Sequence, residues 1–265
     1  MAAFWSRILV AAVLLPVVLG VVYLGGWWLF ALALVGALIA LHEYFTIVRT
    51  LRPLVLGGYV ALVLALLGAE LGGLPWLLAG IAATFPLAFV MFGVSDARPS
   101  FNAAMGATLL PVAWLGLGLG LLLLVRDIPE NGRLAIFTVL LAVFADDTLA
   151  YFFGRLLGRH KLSPSISPGK SWEGFVAGTI AAVAVAFFAL YDQDFLSTWQ
   201  AIVLGASISL SAVIGDLFES AVKRDMGVKD SGSLLAGHGG VLDRVDSILF
   251  AGPTAYFLIV AFGHA

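Results

Sequence analysis

The stretch "LAIFTVLLAVFADDTLAYFFGRLLG", residues 134–158, decides what kind of fold this chain can form. It is long and almost entirely apolar, and a helix that crosses about 30 Å of hydrocarbon needs about 20 such residues. The stretch therefore predicts a membrane-spanning helix, with the adjacent acids Asp146 and Asp147 near its middle.

The same apolar pattern runs through the whole chain. Hydrophobic residues make up 62% of the 265 residues, charged residues make up 11%, and the mean hydropathy is +1.06, which fits no ordinary soluble protein. Dividing the chain at its turn and charge clusters gives about nine segments of membrane-spanning length. They cover residues 5–25, 27–48, 54–73, 75–94, 101–125, 133–158, 172–192, 198–224 and 241–263. We predict an all-α fold, a polytopic membrane helical bundle.

Composition also excludes several classes of protein. Cysteine is absent, so the chain can form neither a disulfide framework nor a thiolate metal site. The apolar run after Arg7 could be a signal peptide, but no convincing cleavage site follows it, so we expect a retained first span. The connections between the spans are too short to hold a soluble domain.

The basic residues predict the orientation of the chain in the membrane. With nine spans and a cytoplasmic N-terminus, only Arg126 and Arg133 of the 14 basic residues lie on the outer side. The others are Arg7, Arg49, Arg52, Arg98, Arg155, Arg159, Lys161, Lys170, Lys223, Arg224, Lys229 and Arg244. We expect an integral protein of a bacterial inner or plasma membrane, with the polar loops at 155–172 and 225–240 in the cytoplasm.

The N-terminal half, residues 1–132, carries little chemistry and is predicted to be a scaffold of transmembrane helices. Some of its glycines have the spacing that lets membrane helices approach closely, so this half could form a homodimer contact. These glycines are Gly68 with Gly72 and Gly116 with Gly120. Near the end of the second span, His42 and Glu43 could line a polar cavity or could form an interfacial pair that faces water.

Acidic residues lie inside the spans of the C-terminal half, residues 133–265, where an unpaired Asp costs about 2.5–3.5 kcal/mol. They form three pairs: Asp146 with Asp147, Asp216 with Glu219, and Asp243 with Asp246. The last two pairs have i, i+3 spacing, which places both side chains on one helix face. These acids could be packing contacts, either protonated or paired with Arg155, Lys223, Arg224 and Arg244, or they could hold a cation. Because buried ion pairs stabilise poorly, the set favours a hard cation such as Mg²⁺.

Two predicted cytoplasmic loops place bases and backbone donors beside these acids. The first, "HKLSPSISPGKSWEG" at 160–174, supplies Lys161, Lys170 and four serine hydroxyls. Its GKS triplet is not a P-loop, because Pro164 stands where that motif needs glycine. The second, "DMGVKDSGSLLAGHGG" at 225–240, holds five glycines that would let the backbone approach an anion closely. Together the loops and the acids predict a phosphate site.

Residues 220–246 read "SAVKRDMGVKDSGSLLAGHGGVLDRVD". This stretch resembles the signature of the phosphatidate cytidylyltransferases, or CDP-diacylglycerol synthases: S-x-x-K-R-x-x-x-x-K-D, a short glycine-containing stretch, then H-G-G-x-x-D-R-x-D. "DTLAYFFGRLLGRHKLSPSISPGKSWEG", 147–174, is similar to a second block of that family. Two positions depart from the family pattern, Ala236 where a turn residue is usual and Leu149 where glycine is common. Both affect packing, and every charged position is kept.

The resemblance implies an enzyme of phospholipid biosynthesis that converts CTP and phosphatidic acid to CDP-diacylglycerol and pyrophosphate. It implies Mg²⁺, with room for a second metal ion, on the ligands Asp216, Asp243 and Asp246. The candidate catalytic residues are Lys170, Lys223, Arg224, Lys229 and Arg244, which would contact phosphates, and His238, which could orient a phosphate or move a proton. The candidate substrate-binding residues are Asp147, Ser167, Ser171, Gly239 and Gly240.

The expected mechanism is direct attack of the lipid phosphate on the α-phosphorus of CTP, because the chain has no cysteine nucleophile. The expected partners are CTP, phosphatidic acid and the lipid bilayer, without nucleic acid. Two alternatives use similar residues. A membrane lipid or polyprenol kinase would transfer a γ-phosphoryl group, but the signature argues against it. A cation-coupled transporter often has two repeated halves, whereas these acids lie in one half only.

Overall fold

The structure of the chain, a computed structural model, describes residues 16–95, 100–232 and 239–263. The chain forms two compact units. The first comprises Met1–Leu124 and Met226–Arg244, and the second comprises Val125–Asp225 and Val245–Ala265. The sequence predicted a division after residue 132. In the structure the glycine-rich segment 226–244 belongs with the N-terminal helices.

The first unit consists of apolar helices. Residues 16–24 are helical and are called α1 here. They are followed by α2 (Gly26–Ile47), a 3₁₀ helix (Arg49–Leu51), α3 (Val55–Ala82), α4 (Thr84–Val94) and α5 (Phe101–Arg126). Thr108 of α5 fixes the start of α3, because its Oγ1 accepts the backbone N–H of Leu54 at 2.8 Å. Leu54 packs there in a buried core with Ala88 and Ala104.

The apolar run at 55–94 is 40 residues long and folds back on itself. The bend is at Gly73, whose φ of 68° is a left-handed conformation that glycine adopts without steric cost, and Pro75 follows as the second arm begins. The two arms are in close contact, since a Cβ on Gly80 would lie 2.4 Å from the Cα of Ala65. The predicted boundary between the third and fourth segments is therefore confirmed.

The second unit contains four long helices and a small sheet. Its elements are α6 (Gly132–Leu157), β1 (Lys161–Ser163), β2 (Ser167–Ser171), α7 (Trp172–Leu190), α8 (Thr198–Asp225) and α10 (Ile248–Ala261). The short helix α9 (Leu242–Val245) leads into it from the first unit. Helix α7 packs against α6 and α8, and α10 packs against α8. Gly205 permits the contact of α8 with α7, because a Cβ there would lie 2.7 Å from the Cα of Val183.

The first polar loop folds as a two-stranded antiparallel sheet, which the sequence did not predict. Lys161 pairs with Ser171 across the two strands. The base of the sheet is closed by the N–H of Trp172, which donates to the carbonyl of His160 at 2.9 Å. The Nδ1 of His160 also lies 2.7 Å from Glu173 Oε1. Because β2 runs directly into α7, the sheet is joined firmly to the helical bundle.

The predicted ninth span, 241–263, is not one continuous helix. Asp246 and Ser247 form a turn between α9 and α10. The Oδ1 of Asp246 accepts the N–H of Ser247 at 2.8 Å, and a local bond of this kind competes with the helical hydrogen-bond pattern. The expectation that Asp243 and Asp246 share one continuous helix face is therefore wrong.

Seven helical runs of the described residues are long and apolar enough to cross a membrane, and one of these runs is the hairpin at 55–94. This confirms the all-α, polytopic membrane bundle. The count of nine spans stays a prediction, because residues 5–15 of the predicted first span lie outside the described residues.

The four glycines of the predicted dimer contact are used inside the first unit. Gly68 and Gly72 lie against Trp76, Gly116 lies against Ile81, and Gly120 lies against Leu77. A Cβ on Gly68 would lie 2.3 Å from the Trp76 carbonyl oxygen, so the small residue is needed for contacts within the chain. A homodimer stays a prediction that these glycines no longer support.

Candidate functional site

One ammonium and three carboxylates come together in the second unit. Lys170 of β2 forms an ion pair with Asp216 of α8, with the lysine Nζ 2.9 Å from the aspartate Oδ2. Asp246, in the turn before α10, and Asp147 of α6 interact electrostatically with this pair. We call Asp147, Lys170, Asp216 and Asp246 the acid–lysine cluster. The fold thus brings together four of the residues that the sequence predicted for the site.

The acid–lysine cluster is only partly covered by the protein. The side chains of Lys170 and Asp216 are 22% and 33% exposed, whereas Asp246 is 9% exposed. Asp147 is exposed as well. Ion pairs that are largely buried stabilise a fold poorly, so helix packing alone is a weak explanation for the cluster. Part of the surface of Lys170, Asp216 and Asp147 is therefore left uncovered by the protein itself.

Gly215 allows Asp246 to lie beside helix α8. A Cβ on Gly215 would lie 2.5 Å from the carbonyl oxygen of Asp246 and 3.1 Å from the ring of Phe250. Helix α8 can therefore carry no side chain at this position. Because Gly215 directly precedes Asp216, the same close approach sets the separation of the two aspartates.

Asp146 differs from its neighbour Asp147 in its surroundings. It is 1% exposed, and its Oδ1 accepts the hydroxyl of Ser209 at 2.6 Å. Ser209 in turn lies 2.8 Å from the hydroxyl of Thr179, and a Cβ on Gly178 would lie 2.6 Å from the same Asp146 oxygen. Successive side chains on a helix point about 100° apart, so one acid faces the bundle interior while the other is exposed. Asp146 thus makes a buried contact with a serine and not with a base, and its Oδ2 is buried without a hydrogen-bond partner among the described residues.

The acid–lysine cluster fits a divalent cation in charge and in ligand chemistry. Its carboxylates outnumber its single ammonium, and carboxylate oxygens are ligands that Mg²⁺ prefers. In the part of the chain that the structure describes, no three acidic or histidine side chains lie close enough to hold one ion. Mg²⁺ is usually bound by only one or two carboxylates, with substrate phosphates and water completing its shell. Two carboxylates of the cluster, those of Asp216 and Asp246, would be enough for a site of that kind.

The predicted phosphate-binding residues at the end of α8 have different surroundings. The Nζ of Lys223 lies 2.5 Å from Oε2 of Glu219, one turn earlier, and the two side chains are 12% and 1% exposed. Glu219 therefore fits the packing interpretation, as the buried partner of this lysine. Arg224 is exposed, and so are Lys229 and Arg244 of the segment 226–244.

The glycine-rich loop of the first unit is held by two carboxylates, one of which is Asp243. Its Oδ2 accepts the backbone N–H of Gly240 at 2.8 Å and that of Ser231 at 3.1 Å. Gly239 has φ 79°, and a Cβ there would lie 2.6 Å from the same oxygen. These contacts give Asp243, Gly239 and Gly240 a role in ordering the loop, while metal and substrate contacts of these residues stay predictions.

The second carboxylate is Glu43 of α2, which sequence reasoning did not connect with this loop. It is 6% exposed, and its Oε1 and Oε2 accept the N–H groups of Val241 and Leu242 at 3.0 and 2.9 Å. Its neighbour His42 is exposed and contacts the hydroxyl of Tyr59 at 3.1 Å. The two residues therefore form neither an interfacial pair nor a common cavity lining. One sign in the sequence indicated that Glu43 has buried hydrogen-bond partners. It is an acid in an apolar helix, and such a charge needs a partner.

The predicted serine ligands lie in the sheet of the second unit. Ser171 is 3% exposed and caps α7, since its Oγ accepts the N–H of Gly174 at 3.2 Å. Ser167 is half-buried and pairs with Ser163. The structure thus accounts for Ser171 through helix capping, and substrate binding by either serine stays a prediction.

The predicted metal ligands are divided between the units. Asp216 and Asp246 belong to the second unit, and Asp243 belongs to the first. His238 lies outside the described residues, so its predicted contact with a phosphate stays a prediction. Of the predicted ligand set, the acid–lysine cluster therefore contains only Asp216 and Asp246.

Comparison with known proteins extends the resemblance beyond the C-terminal signature. Phosphatidate cytidylyltransferase of Staphylococcus haemolyticus is 36% identical over 259 residues, which cover 96% of this chain and 98% of that protein. The protein of the same name from Staphylococcus aureus is 35% identical over 261 residues, with the same coverage. That of Staphylococcus saprophyticus is 42% identical over 153 residues, or 57% of this chain and 58% of that protein. Residues 5–262 match the sequence pattern of the cytidylyltransferase family. The chain therefore belongs to the cytidylyltransferase family.

Proposed function

We propose that this chain is a membrane nucleotidyltransferase that converts CTP and phosphatidic acid to CDP-diacylglycerol and pyrophosphate. The observation that carries the proposal is the acid–lysine cluster, which combines the Lys170–Asp216 pair with Asp147 and Asp246 on membrane helices. Relatives named phosphatidate cytidylyltransferase are 35–36% identical over 96% of the chain. A lipid phosphate and a nucleotide triphosphate can react only where cations and bases offset their charges at a membrane.

Asp216 and Asp246 are the carboxylates that would hold Mg²⁺ in this site. The bound ion would neutralise charge on the nucleotide phosphates and make pyrophosphate a better leaving group. Asp246 is held in place by the N–H of Ser247 at 2.8 Å and by the close approach of Gly215. Asp147 adds a further negative charge within electrostatic range, which favours a divalent ion over a monovalent one.

Lys170 is the positively charged residue of the acid–lysine cluster and would contact a phosphate of CTP. Its ammonium lies 2.9 Å from Asp216 and is 22% exposed, so the protein leaves part of it uncovered for a second anionic partner. With a cation held by Asp216, the attraction between that carboxylate and Lys170 would be weaker, and the ammonium would be able to bind a phosphate oxygen as a compact point charge.

The phosphate of phosphatidic acid would serve as the nucleophile. A phosphate monoester has a second pKa of about 6, so it is largely ionised at neutral pH and needs no strong general base. One of its oxygens forms a bond to the α-phosphorus of CTP as the bond from that phosphorus to pyrophosphate breaks. Lys223 and Arg224, at the end of α8, are our candidates for holding the lipid phosphate during this displacement.

The segment 226–244 would supply further contacts with phosphates. We assign contacts with the phosphates of CTP to Lys229, His238 and Arg244, because these residues fall on the charged positions of the family signature. The charge distribution of the chain supports a cytoplasmic position for this segment and for the sheet at 161–171, where CTP is available.

Purified protein in detergent, incubated with CTP, phosphatidic acid and Mg²⁺, tests the proposed reaction. CTP labelled at the α-phosphorus should transfer its label to the lipid, and CTP labelled at the γ-phosphorus should release its label as pyrophosphate. A lipid product carrying the γ label would identify a lipid kinase instead. Folded protein that forms neither product would refute the proposal.

A further inference from the structure

Glu43 joins the glycine-rich loop to helix α2 through three hydrogen bonds. Besides the N–H groups of Val241 and Leu242, the carboxylate accepts the hydroxyl of Ser231, at 3.3 Å from Oε2. The donors lie 188 to 199 residues away along the chain, and all of them belong to the first unit. Both oxygens of Glu43 are therefore directed at this one loop.

Two glycines of the loop face the same carboxylate. A Cβ on Gly232 would lie 2.7 Å from Oε1 of Glu43, and a Cβ on Gly240 would lie 2.5 Å from Oε2. The loop glycines were expected to let the backbone approach an anion, and the anion that these two approach is a side chain of the protein itself. The described parts of the loop, residues 231–232 and 240–242, thus fit closely around Glu43.

The loop segments 231–232 and 239–242 are also tied to each other. Asp243 accepts the N–H groups of Ser231 and Gly240, while Glu43 accepts the Ser231 hydroxyl. Ser231 is therefore bound by both carboxylates, and its 5% exposure shows that the contact is buried. Asp243 and Arg244 directly follow Leu242 in the chain. The hydrogen bond from Leu242 to Glu43 therefore helps to fix the backbone position of these two charged residues.

Helix packing does not require a carboxylate at position 43. An ionised carboxylate is costly to bury unless it is hydrogen-bonded, and an apolar side chain would pack α2 at least as well. Hydrogen bonds to an ionised acceptor are stronger and shorter than neutral ones, which suits a residue that must hold a backbone segment in one conformation.

We propose that Glu43 is a positioning residue that fixes the two described ends of the glycine-rich loop, residues 231–232 and 239–242, in the conformation that binds the phosphates of CTP. The inference rests on the proposed function, because the loop is assigned there to nucleotide binding. Glu43 contacts no substrate in this account. It acts through Ser231, Val241 and Leu242, and thereby sets the position of Arg244.

Glu43→Gln tests this role, because the amide keeps the size of the side chain but removes its charge and one acceptor. We expect the KM for CTP to rise about tenfold or more, while the KM for phosphatidic acid changes by less than about twofold. Gly232→Ala places a methyl group against the same carboxylate from the loop side and should have the same effect. His42→Gln, one residue away on the exposed side of α2, is the control and should leave both KM values unchanged.

Hydrogen exchange gives a second measurement that does not depend on activity. In Glu43→Gln, amides in peptides covering 229–232 and 239–245 should exchange faster than in the wild-type protein, and those of the hairpin at 55–94 should not. Unchanged exchange in the loop would refute the positioning role, and so would an equal rise in KM for both substrates. If the wild-type protein makes no liponucleotide, the proposed function fails, while the exchange result still decides whether Glu43 orders the loop.

Discussion

The Nζ of Lys170 lies 2.9 Å from the Oδ2 of Asp216, which joins strand β2 to helix α8 within the second unit. The lysine comes from a loop that was predicted to contact phosphates, and the aspartate was predicted to bind a metal ion. Their ion pair places the two predicted functions at one point. It also explains how a cation and a phosphate could bind there together, because each would replace one partner of the pair.

Lys170→Gln should lower kcat/KM for CTP by about 10²-fold, since a charge-assisted phosphate contact is lost. In an Asp216→Asn background the same change should cost less, because interacting residues are not additive in a double-mutant cycle. Steady-state kinetics of the wild-type protein, the two single variants and the double variant measure this coupling. Arg159→Gln, which changes an exposed basic residue before β1, is the control. Fully additive losses would show that the ion pair has no part in the reaction.

Gly215→Ala should displace Asp246 from α8, because the new methyl group would lie 2.5 Å from the Asp246 carbonyl oxygen. Overpacking of this kind costs about 1–3 kcal/mol, and we expect turnover to fall at least about tenfold with a higher Mg²⁺ requirement. Gly36→Ala is the matched control, since nothing lies within 4 Å of a Cβ on that helical glycine. Wild-type turnover and Mg²⁺ dependence in Gly215→Ala would contradict the assigned role of Asp246.

The charge distribution predicts that the two ends of α7 lie on opposite sides of the membrane, with the sheet in the cytoplasm. The chain has no cysteine, so Ser165→Cys and Gln193→Cys each introduce a unique and exposed thiol. In right-side-out vesicles an impermeant thiol reagent should label position 193 and spare position 165. The reverse pattern would overturn the predicted orientation.

Direct attack by the lipid phosphate predicts inversion at the α-phosphorus of CTP. A single in-line displacement inverts configuration, whereas two displacements through a covalent intermediate restore it. CTP made chiral at the α-phosphorus with sulfur should therefore give a liponucleotide of inverted configuration. Retention would require a nucleotidyl-enzyme, with His238 as the first residue to examine.

Much of the fold could be predicted because hydropathy and turn residues act locally. The boundary at Gly73 and Pro75 follows from backbone preferences that any chain shares. The turn at Asp246 was missed because it depends on a side-chain hydrogen bond that competes with a helix the apolar pattern favours. The sheet at 161–171 was missed because its short strands carry no clear alternation of polar and apolar residues.

Part of the candidate site could be predicted from residue type alone. Acids within apolar spans marked Asp147, Asp216 and Asp246, because each needs a partner inside a membrane protein. The contacts of Glu43 and Asp243 could not be predicted from spacing, since they depend on how distant segments pack. Residue type also did not separate Ser171, which caps a helix, from a serine that binds a ligand.

The central claim is that Asp216 and Asp246 hold the divalent cation used with CTP, and replacement by a thiolate tests it most directly. Asp216→Cys and Asp246→Cys each place a unique soft ligand in a chain that has no other cysteine. With Mg²⁺ both variants should lose about 10²-fold or more in liponucleotide formation, and Cd²⁺, which prefers thiolates, should restore a large part of the loss. Asp194→Cys, in an exposed loop, should show wild-type activity with Mg²⁺ and no stimulation by Cd²⁺. If both site variants stay folded and remain inactive with Cd²⁺, or keep full activity with Mg²⁺, these aspartates do not hold the cation.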